Sequence, residues 1–536
     1  MKNSHKAESL PNKSNTRKST PGETAKKKVV IIGAGISGLA AGIYLLDNGY
    51  DVTVYEKHFI PGGECTGWTR NGTFIDGCAH WIVGTNKESE LFPLWKHVGA
   101  FYENTKIIDP EYFCKYDIGG EVVTLYADPE KLKAELLRVA PEDKKQIEKF
   151  IKCILKYRHV KIPVDKPVDY MNIFELIAYG SKMLPMVFTM LKYKKKSSEE
   201  FAGKFKSPVI KELVKRLLDG NYNVHTLFYI FQTLSKNDAG IVEGGSKNMA
   251  LRICDRFISG GGKLVLNSPV KNVIVENKTA KGVALFGGER VFADYVISSA
   301  DAHHTLYDLL EGNFNDKYYE SRFNDRKTNP LNSCVFLSYR YSGTRPVDEK
   351  INFEINEYKN LGLTVNHISI RNHFRDETLN DGHSAITVMV PTSDKVFDNL
   401  KALNKDDYVA FKKDIGEFIG NEIVKYYGLS SDDLTLIDVA TPVTYERYVN
   451  AYRGSYMSFI TTAKSKGLMR KGVIKGLKNF VMCGQWIMPP GGLPIALFSG
   501  KHAACRVCKA DKKKFINLEK SDKPVAKIIP AKATIV

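Results

Sequence analysis

The chain is 536 residues long, 43% hydrophobic and 26% charged, with a formal net charge of +18. Such a length points to two or more connected domains, and the balance of apolar and charged residues is that of an ordinary globular protein. Much of the charge sits at the ends: residues 1–28 carry +6 and residues 509–536 carry +5, leaving +7 for the body. No basic motif interleaved with aromatics argues for nucleic acid, and the N-terminus has no apolar signal-peptide core, which speaks against secretion.

Both ends are rich in Lys, Ser, Pro and Asn and lack apolar periodicity, so they read as disordered basic tails, either solvated or drawn to anionic lipid. Inside the first tail boundary, "KKKVVIIGAGISGLAAGIYLLDNGYDVTVYEK" runs from Lys26 to Lys57. A buried-type strand stops at glycine, a small-residue helix follows and ends at Gly49, and a second strand ends in an acid. Gly33, Gly35 and Gly38 form G-x-G-x-x-G at the strand-to-helix turn. Their expected jobs are a tight turn, close approach of backbone to a pyrophosphate, and close helix-on-strand packing. The helix N-terminus offers N–H groups and its positive dipole end to phosphates. Glu56, about 20 residues on, suits ribose hydroxyls and disfavours a 2′-phosphate, so NADP is an unsuitable occupant.

"FIPGGECTGWTRNGTFIDGCAHWIVG", Phe59–Gly84, adds turn glycines and short alternating segments. Residues 85–240 read as mainly helical and irregular. Within them "IFELIAYGSKMLPMVFTMLKYKKK", Ile173–Lys196, is largely apolar but interrupted by Glu175, Lys182 and Pro185, a poor fit to a spanning helix. Two readings stand: a buried cap helix walling a lipophilic pocket, or an interfacial helix with its basic end at lipid headgroups. From Ile241 to Asp301 the pattern predicts a helix over 246–258, a strand at 263–266, a hairpin around Asn277 and a strand ending at Ser299. Residues 310–440 read as mixed strands and helices, and Lys478–Lys509 as a strand, a glycine-rich turn and a closing helix. The nucleotide layer is thus discontinuous, and a cofactor spanning its pieces must be long, which suits FAD better than NAD. The nine cysteines are scattered and odd in number, as in a reduced cytoplasmic protein; Cys505-x-x-Cys508 lacks a second ligand pair, and no metal site is expected.

Six segments together resemble the flavoprotein group of phytoene desaturases, carotenoid isomerases and retinol saturases. They are "IGAGISGLAAGIYLLDNGYDVTVYEK", "PGGECTGWTRNGTFID", "EGGSKNMALRICDRFISGGGKLVLNSPV", "ADYVISSAD", "TPVTYERYVNAYRGS" and "GQWIMPPGGLPIALFSGKHAA". The resemblance implies an α/β architecture, with a discontinuous Rossmann-like FAD-binding domain (29–84, 241–309 and 441–508) and an inserted mixed α+β substrate or cap domain (85–240 and 310–440). It implies FAD contacts at Gly33, Gly35, Gly38, Glu56, Gly62, Gly63 and Val270, and at Gly484, Gln485, Gly491, Gly492, Leu493 and Pro494 near the ribityl chain and flavin edge. Where desaturases of the group carry Gly-Gly-Arg this chain has Glu64, which is expected to point away from the pyrophosphate. His80-Trp81 is similar to the His-aromatic pair of the saturases.

The implied reaction is FAD-dependent desaturation, saturation or isomerisation of a hydrophobic polyene or isoprenoid-like substrate. His80 is the candidate proton donor and Tyr456 a second catalytic candidate; Tyr445 and Tyr448 lie in the same segment, and packing is the alternative role for all four. A flavin amine oxidase-type enzyme and a flavin-bearing, non-catalytic lipid-binding protein remain alternatives. H-E-x-x-H, G-x-S-x-G and P-loop motifs are missing, so metalloprotease, hydrolase and NTPase readings lack residues. The expected partners are a hydrophobic small molecule and, peripherally, a membrane; no nucleic-acid partner is expected, and oligomeric state is not legible.

Overall fold

A computed structural model describes residues 25–78, 81–102, 104–218, 222–374, 383–465 and 469–520. His80 lies outside them, as do most of both tails.

The valine- and isoleucine-rich run Lys28–Ile32 (β1) is buried over four of its five residues. It leads through the glycine turn into helix Ile36–Asp47 (α1) and back into strand Asp51–Tyr55 (β2). A parallel sheet forms around β1 in the order Lys263–Val265, β2, β1, Tyr295–Ser298, Phe480–Met482. Its strands come from three separated stretches of chain, so the sheet closes only when the middle and C-terminal pieces return to the first. Near-continuous apolar strands are what a parallel sheet covered on both faces requires. The closing helix Leu493–Ala510 packs on α1 at van der Waals distance: a Cβ at Gly500 would lie 2.4 Å from the Ser37 carbonyl oxygen. Next to this layer, strands Val270–Glu276, Thr279–Leu285 and Arg290–Phe292 form a small antiparallel sheet.

The second layer is a large sheet centred on Leu331–Tyr341, which pairs with Ser384–Thr392, Leu434–Ala440 and Ser455–Phe459. It continues through Leu363–Asn372 and Lys350–Asn360 to a hairpin, Tyr112–Ile118 and Glu121–Tyr126. Residues 85–240 are mainly helical, as the sequence reads, and the hairpin is an addition to that reading. Its signal is a period-two burial pattern, with Cys114, Tyr116 and Ile118 inward, broken by the Gly119–Gly120 turn. Most of the remainder of this stretch is helical and packs Phe150, Phe201, Phe228 and Phe231 into one aromatic core.

Helix Ile173–Tyr193 roofs that core, and its two faces differ. Met186, Thr189 and Tyr193 are buried, whereas Ile173, Phe174, Ile177, Leu184, Phe188 and Leu191 are exposed, Phe188 by 78%. The wholly buried form of the cap reading is therefore wrong; only the inner face is core. By length and composition it is the one helix among the described residues able to cross a membrane, with a mean hydropathy of 1.2.

Candidate functional site

The carboxyl ends of β1 and β2 open onto a cavity of about 1360 Å³ that runs from the glycine turn to the cap helix. Single-ligand sites are typically about 300–1,000 Å³, so this space exceeds one small ligand.

At the glycine end, Gly33 has φ +96°, and its N–H donates to the Tyr55 carbonyl at 2.8 Å, which ties the turn to β2. A Cβ on Gly38 would sit 2.1 Å from the Gly33 carbonyl oxygen, so only glycine lets α1 approach the turn. A Cβ on Gly35 would meet nothing within 4 Å, and that open space belongs to the cavity. Glu56, buried at the end of β2, accepts from the Ala34 N–H at 2.7 Å and from the His58 N–H at 2.9 Å. The Gly62–Gly63 turn lies against this one: Gly62 donates to the Ala34 carbonyl at 2.9 Å and bridges to Gly35. Val270, at the start of its strand, lines the same wall.

The C-terminal glycine-rich turn forms the middle of the cavity. Gly484, Gln485, Gly491, Gly492, Leu493 and Pro494 all line it, and Gly492 caps the N-terminus of the closing helix. Gln485 joins two turns whose contacting residues, Glu64 and Gln485, are 421 residues apart in sequence. Its carboxamide donates to Glu64 Oε2 at 2.8 Å and accepts from the Gly492 N–H at 3.3 Å. Glu64 therefore faces the C-terminal turn. Burial pushes its carboxyl well above the ordinary range, against the hydrogen bond from Gln485.

Asp301 went unnoticed in the sequence. It stands just past the strand ending at Ser298, at the edge where doubly wound sheets bind ligands, and that position was its available signal. Burial raises its carboxyl to about 7, although it accepts from the N–H groups of His303 at 2.7 Å, His304 at 3.3 Å and Tyr452 at 3.0 Å.

The far end is apolar. Met183, Met186 and Met190 of the cap helix line it with Tyr229 and Ile230, while Phe336 and Met389 of the large sheet line the cavity beside Tyr445 and Tyr456. Tyr157 and His225 are hydrogen-bonded there, and burial lowers the imidazole to about 4, so His225 is neutral at pH 7. Tyr456 and Met457 reach the cavity from Ser455–Phe459, and Trp81 lines it edge-on to Phe113 at 5.2 Å. Tyr445 also lines it, whereas Tyr448 is not among the lining residues. Beyond the cap helix, Tyr445 and Tyr456, the methionine and aromatic lining escaped the sequence reading because its members come from helices and strands far apart in the chain, Phe113, Met389 and Met457 among them.

The glycine turn, the acid ending β2 and two helix N-termini on one elongated cavity define a flavoprotein of the FAD-dependent oxidoreductase class. The open space at Gly35 and a volume beyond one small ligand suit a long dinucleotide beside a second molecule. Residues 36–508 match the family of flavin containing amine oxidoreductases, and the chain belongs to that family; FAD is its cofactor. It is 25% identical over 527 residues to a 4,4′-diapophytoene desaturase (4,4′-diapolycopene-forming) from Methylomonas sp., covering 92% of this chain and 98% of the relative. It is 22% identical over 522 residues to the chloroplastic prolycopene isomerase of Daucus carota, covering 91% and 80%. In fold it is similar to a cyclohexylamine oxidase from Brevibacterium oxydans, with a TM-score of 0.56, 16% identity, and coverage of 91% of this chain and 100% of that one.

Proposed function

We propose that this enzyme performs redox chemistry on C–C or C=C bonds of a hydrophobic polyene or isoprenoid-like substrate. The observation that carries the reading is the continuity of the cavity, from the glycine turns past Phe336 and Met389 to the methionines Met183, Met186 and Met190 of the cap helix. A chamber of methionine and aromatic side chains adapts to a long apolar molecule. The names of the desaturase and isomerase relatives point the same way.

In this reading residues 29–84, 241–309 and 441–508 hold FAD, and residues 85–240 and 310–440 hold substrate. Gly33, Gly35, Gly38, Gly62 and Gly63 surround the pyrophosphate, Glu56 takes the ribose and Val270 the adenine. Gly484, Gln485, Gly492 and Leu493 surround the flavin end. Bound FAD supplies the hydride donor or acceptor. The N-terminus of the closing helix favours negative charge beside it. The apolar chamber excludes water and aligns the substrate. His80 supplies the proton, and Tyr456 lines the approach.

We infer further that the outer face of the cap helix rests on a membrane. Ile173, Ile177, Leu184, Phe188 and Leu191 recur at helical spacing as one exposed stripe, and Lys192, Lys194, Lys195 and Lys196 follow at its end. The inner face of the same helix walls the chamber, so a lipid-dissolved substrate has a short path in.

The test is anaerobic stopped-flow with candidate polyenes against oxidised and pre-reduced enzyme. Bleaching of oxidised flavin means desaturation, recovery of its colour means saturation, and isomerisation needs reduced flavin without consuming it. No response to any polyene, together with bleaching by amines, would replace the proposal with amine oxidation. His80→Ala is expected to slow turnover by about 10²–10⁴-fold with FAD still bound; wild-type turnover would reduce His80 to packing.

A further inference from the structure

Of the nine cysteines, only Cys65 and Cys78 line the cofactor cavity. They belong to the hairpin of strands Gly67–Arg70 (β3) and Thr73–Asp76 (β4), paired Gly67 with Asp76 and Trp68 with Ile75. One step beyond the ladder, the Gly77 N–H donates to the Thr66 carbonyl at 3.1 Å. The next opposed pair in that register is Cys65 and Cys78. Opposed residues of an antiparallel pair project from the same face with Cβ atoms about 4.5–5.5 Å apart, close to what a disulfide spans. Cys78 is the neighbour that acts most strongly on the Cys65 thiol, and the Cys65 Sγ lies 3.4 Å from the Ser246 carbonyl oxygen.

Their exposures differ. Cys65 is buried, while Cys78 is half-buried with its free side on the cavity. The Cys78 thiol, and then burial, raise the Cys65 thiol well above its ordinary range, which makes it the poorer first nucleophile. Cys65 is also tied to the cofactor turn, because its N–H donates to the Gly62 carbonyl at 3.1 Å, and Gly62 in turn bridges to Gly35.

We propose that Cys65 and Cys78 form a reversible disulfide that governs how tightly the second glycine turn holds FAD. The inference rests on the assignment of FAD to this cavity, and not on the polyene reading. With a peroxide as oxidant, Cys78–SH is oxidised to the sulfenic acid with release of one water. The Cys65 sulfur then displaces the hydroxyl as a second water, forming Cys65–S–S–Cys78. Two thiols lose two electrons and two protons, one peroxide becomes two waters, and an external dithiol reverses the bridge. Drawing Cys65 toward Cys78 pulls on Gly62 and Gly63, so the bridged form binds FAD more weakly. By linkage, bound FAD opposes the bridge by the same factor.

The test treats the full chain, with and without FAD, with limiting hydrogen peroxide, followed by alkylation and non-reducing peptide mapping. The expected result is a Cys65–Cys78 cross-linked peptide lighter by two hydrogens in the FAD-free protein, formed at least about tenfold less with FAD bound. FAD affinity should fall about tenfold or more and return with dithiothreitol, whereas Cys65→Ser and Cys78→Ser should each abolish the peroxide effect on FAD affinity. Sulfinic acid at Cys78 without a cross-link, or a cross-link that leaves FAD affinity unchanged, would overturn the proposal. Reduced protein that fails to bind FAD at all would instead strike the cofactor assignment.

Discussion

The two ends of the cavity are made by different means. At the glycine end the surface is backbone: tight turns, helix N-termini and one carboxylate, most of it within the 24 residues from Gly33 to Glu56. At the cap end the surface is side chain: methionines and aromatics delivered by helices and strands remote from one another. A phosphate-bearing cofactor needs fixed N–H groups and close approach, which short local motifs with glycine provide. An apolar substrate needs only shape and dryness, which many residue choices satisfy and no motif records. Cofactor identity is therefore written locally, and substrate identity is distributed over the fold.

Breaking the first end has the largest expected effect. Gly35→Val places a branched side chain in open cavity space, so the protein should fold and yet lose FAD, a loss in affinity on the order of 10³-fold or more by equilibrium dialysis. Full FAD occupancy would undo the assignment of that turn. Gly38→Val tests the same motif in the opposite sense. Its Cβ would overlap the Gly33 carbonyl at 2.1 Å, so the cost falls on folding and should be about 1–3 kcal/mol or more in denaturant unfolding. A variant of wild-type stability would show that α1 can move away from the turn.

The junction between the ends carries a pH signature. Folded FAD-free protein keeps a proton on Asp301 up to about pH 7, whereas an unfolded chain releases it near pH 4. Stability from this group is thus fully present at low pH and is lost as pH rises through about 7. The difference is on the order of 4 kcal/mol. Asp301→Asn removes the titration and should flatten most of that slope, at a pH-independent cost, because one carboxylate oxygen accepts from His303 and His304 and the other from Tyr452, and an amide keeps only one of the two. Glu64, also raised by burial, contributes in the same direction. An unchanged slope would mean that water reaches Asp301.

The cap end yields smaller effects. Phe188→Glu removes one exposed ring from the outer stripe and should weaken binding to anionic vesicles about tenfold or more, since burying such a side chain contributes about 1.5–3 kcal/mol. FAD content should not change. Part of the wild-type binding should also fall with salt. If removing both tails abolishes vesicle binding, the tails and not the helix make the contact. Tyr456→Phe keeps the ring and should alter turnover by less than about tenfold; a 10²-fold loss would make its hydroxyl a proton donor.

The sequence by itself determined the parallel nucleotide layer, the cofactor class and the return of the chain to that layer at its C-terminal end. Each depends on short-range chemistry: a glycine where a Cβ cannot fit, an acid at a strand end, an apolar run of strand length. Tertiary structure alone decided the rest. Residues 85–240 read as helical because long apolar helices dominate them, but the Gly119–Gly120 hairpin finds its partner in Lys350–Asn360, more than 200 residues on. Glu64 and Gln485 are adjacent only in space, and the carboxyls of Glu64 and Asp301 owe their shifts to burial, which composition cannot express. The cap helix shows the same limit: its apolar run was plain, but which face would be covered depended on the packing of the helices beneath it.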